Sequence, residues 1–267
     1  MSLREQRATR RPDGFRSSRA GYTLTEMMVV AGIVILVAGI SIPLMTPFLR
    51  GGAVREASDI FKMACVTARS LAVQQNEDQD LLIVAEQYEQ SVQVLSAPRL
   101  DDPATATSAG STTITTSTTL KQNEYEDDPD SGEPRYFVTV IRGRGRGQTR
   151  GIEDNTADTI TLKTNWEVTP AAGSEFQIYR TAERKVSMPE NTYFDFTPGV
   201  RVYTFMPMGT ISLNGNDDEF AIEDIVERQA QTDIAGGASE SEVRRGNWRN
   251  FQLYTSTGMV YSEQKER

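Results

Sequence analysis

The sequence predicts an α+β fold: a long N-terminal helix, transmembrane in its first half and amphipathic in its second, packed on an antiparallel β-sheet with an inserted small β module. Three observations predict it. Residues 27–49 form an uncharged and almost wholly apolar run. Residues 54–72 then place apolar side chains three and four positions apart, the period of a helix with one buried face. From Leu81 onward, short runs of β-branched and aromatic residues alternate with Gly, Pro, Asn and Asp, the pattern of strands and tight turns.

The apolar run comes first. At about 1.5 Å of rise per residue, a helix over it spans about 35 Å, enough for a hydrocarbon core about 30 Å thick. Its flanks are charged unequally. Arg4, Arg7, Arg10, Arg11, Arg16 and Arg19 face only Glu5 and Asp13 in residues 1–21, a balance of +4 in a chain whose net charge is −9. A basic front, an apolar run and an acidic body predict a single-pass chain with its N-terminus in the cytoplasm. Two residues are unusual for a plain anchor. Glu26 puts a carboxylate at the front edge of the run, where burial is costly without a partner. Pro43 lies inside it and removes a backbone hydrogen bond, which tends to kink a helix. Gly32 and Gly39 offer close-packing surface.

The run Gly21-Tyr22-Thr23-Leu24-Thr25-Glu26-Met27-Met28-Val29-Val30 resembles the cleavage and methylation motif of type IV prepilins: a basic leader ending in Gly, an aromatic residue, Thr, Leu, a variable position and Glu, then an apolar helix. Pro43 falls where that family places its helix-kinking proline. The resemblance implies cutting between Gly21 and Tyr22 by a prepilin peptidase, N-methylation of Tyr22, and pairing of Glu26 with the terminal amine of a neighbouring subunit. An unpaired carboxylate in an apolar bundle opposes assembly, whereas a paired one fixes register. Tyr22 stands where Phe is commoner, and Thr25 is more polar than usual. The implied location is a bacterial inner membrane, with the globular part periplasmic and the chain incorporated into a pilus or pseudopilus. The implied partners are other pilin or pseudopilin subunits, an inner-membrane assembly platform and the lipid bilayer.

Gly51-Gly52 interrupts the pattern and predicts a local hinge. Val54, Ala57, Phe61, Ala64, Ala68 and Leu71 then define an apolar stripe, with Arg55, Glu56, Asp59, Lys62 and Arg69 opposite and an end near Asn76. Cys65, the one cysteine, falls on the apolar side and reads as a small core residue; no intrachain disulfide can form. Residues 81–85 and 91–95 read as a hairpin. Residues 193–196, 200–205, 210–213, 251–255 and 258–261 read as short strands, with Thr257-Gly258 as a turn. The fragments Phe196-Thr197-Pro198-Gly199 and Phe205-Met206-Pro207-Met208-Gly209-Thr210, with the final hairpin, resemble the small minor-pseudopilin domain of type II secretion.

Between Pro98 and about Thr181 the composition changes. A Thr/Ser/Ala-rich stretch, an acidic turn-rich stretch and strand-like residues 136–141, 159–163, 166–168 and 176–179 read as an inserted β module. Its Gly-rich and Trp-containing pattern is similar to a small β domain of phage-tail and other surface proteins. Arg142, Arg144, Arg146 and Arg150 form a basic cluster with two readings: contact with nucleic-acid phosphates, or a Gly-rich turn of solvated arginines offset by Asp127, Asp128 and Asp130. Asn214-Gly215-Asn216-Asp217-Asp218-Glu219, with Glu223 and Asp224, is dense in oxygen ligands for calcium but lacks EF-hand spacing and reads as a turn. Residues 235–245 read as a loop, beside Arg249 and Trp248.

The chain has no histidine, which excludes Ser-His-Asp, Cys-His and His-zinc chemistry. With no nucleophile constellation, acid-base pair or metal cluster, the sequence predicts no enzyme, no cofactor and no metal. The expected role is a structural minor pilin or pseudopilin that supports protein secretion. The alternative is a binding module for DNA, glycan or a surface, displayed on such a filament by the inserted module.

Overall fold

The computed structural model describes residues 22–86, 89–236 and 246–263; the side chains of residues 42–51 also lie outside the description. The chain divides into two compact units, Met1–Thr46 and Pro47–Arg267. Helix α1 covers Leu24–Gln75 and continues through both Pro43 and Gly51-Gly52, where a hinge was expected. It stops at Asn76, whose φ of 52° is left-handed; Asn tolerates that conformation better than most residues, and it ends helices.

The α+β expectation is corrected by the structure. The architecture is mostly β, with fifteen strands against two helices among the described residues. Strands β1 (Gln79–Ala85) and β2 (Gln90–Pro98) form the expected hairpin. β1 also pairs over all seven residues with β11 (Gly199–Phe205), which pairs with the short β12 (Ile211–Ser212). β9 (Val186–Ser187) pairs with β2.

The correction arises in the segment read as an insertion. It folds as β3 (Ala104–Ala109), β4 (Thr113–Thr116), β5 (Phe137–Arg142), β6 (Thr149–Asn155), β7 (Thr159–Leu162) and β8 (Glu175–Ala182). The antiparallel pairings run β8-β3-β4-β7-β6-β5 and return to β8, which closes a six-stranded barrel. Register shifts at Ala106/Ser108, Val140/Arg142 and Ile152/Asp154 supply the bends that closure needs. The Thr/Ser/Ala stretch is therefore two strands, β3 and β4. Inward Ala104, Ala106 and Ile114 alternate with outward Thr105 and Thr107, a weak periodicity because alanine is the inward residue. Residues 166–168 are not a strand; Trp166 instead packs into the barrel core with Phe176 and Ile178.

The barrel is not an appendage. β8 also pairs with β2, Leu95 opposite Ala182 and Pro98 opposite Tyr179, so one sheet of eleven strands includes both the hairpin and the barrel. Ala97 takes a φ of 54° at this junction. Leu82, Val84, Leu95 and Tyr179 make a small core there. A second sheet runs β10-β13-β14-β15, made by Thr192–Phe194, Glu219–Asp224, Trp248–Tyr254 and Met259–Glu263. Helix α2 (Ile225–Ala235) follows β13. The main core joins Ala57, Phe61, Cys65, Ala68 and Ala72 of α1 to inward residues of both sheets, with Phe61 edge-on to Phe194, Phe220 and Phe251. Cys65 is 2% exposed, and burial raises its thiol far above the ordinary value.

Candidate functional site

The residues singled out by the prepilin resemblance lie at the start of α1. Gly21 lies outside the described residues, as does the rest of the leader. Tyr22 is exposed, and Thr23 caps the helix: the Glu26 backbone N–H donates to Thr23 Oγ1 at 3.2 Å, and the Met27 N–H donates to the Thr23 carbonyl. Glu26 is thus the third residue of the first turn. Thr-x-x-Glu at a helix start is also the sequence of a capping box, and an acid there interacts favourably with the helix dipole. Glu26 is exposed, as are Leu24, Met27, Met28, Val29, Val30, Ile33 and the apolar residues after them. The window Leu24–Ser41 is long and apolar enough to cross a membrane, and none of it is buried within the protein. By length and composition alone, a signal sequence would show the same. Pro43 lies within α1, and its side chain is outside the description.

The arginine cluster is not gathered into a phosphate-binding patch. Arg142 pairs with Glu175 at 3.2 Å, Arg150 with Glu167 at 2.9 Å and Arg146 with Glu86, the last by two contacts. The Glu86 carboxylate raises the Arg146 pKa further above its usual value. The aspartates expected to offset the cluster serve elsewhere: Asp127 pairs with Lys163, and Asp128 with Arg135. Glu86 follows the end of β1, Glu167 lies between β7 and β8, and Glu175 opens β8.

The stretch read at 214–219 turns at Asn214 and Gly215, and its last residue, Glu219, opens β13. Asn214 and Gly215 both have positive φ, and Asn216 Nδ2 donates to the carbonyls of Val202 and Leu213. Asp217 pairs with Arg201 at 3.0 Å. Among the described residues no group of three or more acidic, His or Cys side chains is placed to hold a metal ion. Glu223 and Asp224 belong to β13 and the start of α2. Asp224 Oδ1 accepts from the N–H groups of Val226 and Glu227, and Oδ2 from the Asn247 backbone and amide, which makes it the cap of α2. Glu223 is buried beside it, with Oε2 accepting from Gln231 Nε2. Burial, reinforced by Asp195, pushes its pKa up to about 8 against the opposing pull of Arg228.

Two concavities escaped the sequence reading. A groove of about 710 Å³ runs between α1 and the β2–β9 edge, lined by Ile60, Met63, Ala64, Val92, Val94 and Val186. Met63, Val66 and Val73 are all more than half exposed on the outer face of α1. Of these three only Met63 lines the groove, and it is the one sequence signal for it, an apolar residue on the side otherwise marked by Arg55 and Asp59. A second cleft of about 570 Å³ is polar, with Asp78, Asp80, Asp101, Asp102, Gln177 and Asn214 on its walls. Most of its interior polar atoms are already paired. Tyr179 Oη donates to Asp80 Oδ2 at 2.8 Å, Thr204 Oγ1 donates to Asp80 Oδ1, and the Gln177 amide bonds the Leu100 backbone in both directions.

Compared with known proteins, the chain matches no family model and no curated protein.

Proposed function

We propose that this chain is a non-enzymatic structural subunit of the type IV pilin-like kind, a minor pseudopilin of type II secretion or a minor pilin. It is cut after Gly21 by a prepilin peptidase and held in an inner membrane by residues 27–49. One observation carries the reading: the helix that starts at Leu24 exposes its whole apolar surface through Ser41, with Glu26 in its first turn. An apolar helix bare on all sides needs lipid or other helices around it. A single carboxylate at its head gives those helices a register when a terminal ammonium meets it. Three of the four clustered arginines are held by glutamates, which removes the main support for a DNA-binding role.

The test is mass spectrometry of the assembled protein's N-terminus. The expected species begins at Tyr22 and carries one added methyl group; an intact leader in assembled protein refutes the proposal. Replacement E26Q or E26A is expected to keep the protein in the membrane but strip it from filaments. Normal incorporation of both variants would refute the role given to Glu26.

A further inference from the structure

We infer that β15 is a pairing edge, and that two copies of this chain join there, antiparallel, about Tyr261. An open strand edge exposes unpaired N–H and C=O groups, and proteins blunt such edges by shortening, covering or charging them. Most other edges are handled in those ways, and β11, which β12 pairs only at Thr204 and Phe205, has its Val202 carbonyl taken by the side-chain amides of Asn214 and Asn216. The barrel closes on itself through β8. β9 and β12 have two residues each. β10 has three and lies against α2. β15 differs: it pairs with β14 over all five of its residues without a register shift, and among the described residues no strand pairs with its other side. Its sequence, Met-Val-Tyr-Ser-Glu, contains no Pro and no Lys.

The outer face of the strand carries two large apolar side chains and a single charge, Glu263, at its end. Met259 and Tyr261 are 59% and 55% exposed, and Tyr254, across from Met259, is 45% exposed. Val260, on the opposite face, packs against the main core. A second copy fits because the strand is self-complementary. Set against itself about Tyr261, it places Tyr261 opposite Tyr261, Val260 opposite Ser262 and Met259 opposite Glu263. No like charges meet, and the central pair is aromatic, a favourable cross-strand combination. The two four-stranded sheets then continue as one of eight. This inference is independent of processing at Gly21 and stands whether or not the chain enters a filament.

Cysteine cross-linking of the full chain in detergent micelles tests it, because Cys65 is buried and supplies no competing thiol. Y261C is expected to give a disulfide-linked dimer under mild oxidation, since directly opposed residues fall within disulfide reach. M259C alone is expected to remain monomeric, and M259C/E263C to cross-link. Positions 259 and 263 of one strand are about 14 Å apart at 3.4 Å per residue, too far to bridge within a copy. V260P is expected to abolish the dimer seen by light scattering. Y261K, which keeps the backbone donors, is expected to do the same with an unchanged melting temperature, which guards against misfolding of the proline variant. A Y261C chain that stays monomeric, an M259C chain that cross-links as well as Y261C, or a cross-link formed only to a different subunit would each overturn the inference.

Discussion

Asp80 and Glu223 are both buried carboxylates, and they are satisfied differently. Burial raises the pKa of Asp80, Asp78 adds to the rise, and hydrogen bonds from Thr204 and Tyr179 oppose it. Removing one donor should therefore be costly: Tyr179→Phe is expected to destabilise by about 1–3 kcal/mol in urea unfolding, the penalty of an unsatisfied buried acceptor. Glu223 titrates at about 8 when folded against 4.5 when free. Between those values the folded state holds a proton that the unfolded chain has released, so stability is greatest below 4.5 and falls as pH rises through 8. Glu223→Gln keeps the acceptor for Gln231 and removes the titration. Its melting temperature is expected to vary less than wild type's from pH 5 to 9 and to exceed it at pH 9. Neither acid was legible as a buried group, since burial depends on strands distant in sequence: Tyr179 reaches Asp80 from 99 residues away, and Glu223 lies between Tyr193 and Trp248 of its neighbouring strands.

At the scale of elements, the turn Gly143–Gly147 illustrates a glycine with a reason. Gly147 has φ +85°, and a Cβ there would stand 2.9 Å from Val84 Cγ2. Gly173 has φ +87° with open space around it. Gly147→Ala is expected to lower stability by clearly more than Gly173→Ala, the second paying only the backbone cost of about 1–2 kcal/mol; paired thermal melts check this. Ala97 offers the converse. A left-handed alanine is strained, and Ala97→Gly is expected to raise stability by about 1 kcal/mol in denaturant unfolding. Elements with strong local signals were readable: the stripe from Val54 to Leu71, the β1–β2 hairpin, and the Thr257-Gly258 turn. β13 and α2 were not, because β13 follows directly on the turn read at 214–219 and carries three carboxylates of its own. Phe220 and Ile222 face the main core, and Ala221 between them is buried as well. The basic cluster was visible as residues, but its glutamate partners arrive through tertiary pairing.

For the whole molecule, the α+β expectation failed because threonine-rich and glycine-rich stretches carry little hydrophobic contrast, yet close a barrel once their partners are present. The membrane-crossing potential of α1 was legible because it requires only length and composition. The concavities required an assembled surface. Because β8 belongs to both the barrel and the hairpin sheet, the barrel should not be separable. A chain in which residues 99–181 are replaced by a short linker loses Tyr179 from the junction core and bares Leu82, Val84 and Leu95. It is expected to bind a hydrophobic dye and to unfold with a reduced denaturant slope, the signs of lost packing.

The position of β1 also governs how the body bears load. Tension drawn along α1 is met first by Ala57, Phe61, Cys65, Ala68 and Ala72, which pack the helix into the main core, and what passes Asn76 reaches β1, which is flanked along its full length by β2 on one side and β11 on the other. Seven residue pairs on each flank must slide together for the strand to leave, rather than peel apart one after another. Forced detachment is governed by the unfolding rate, and this arrangement makes that rate slow under tension applied from the helix. A pull applied through Glu263 at the outer strand of the smaller sheet has an easier route, because β15 is held on one side alone. The same body is thus built to be towed by its front end and to yield from its back.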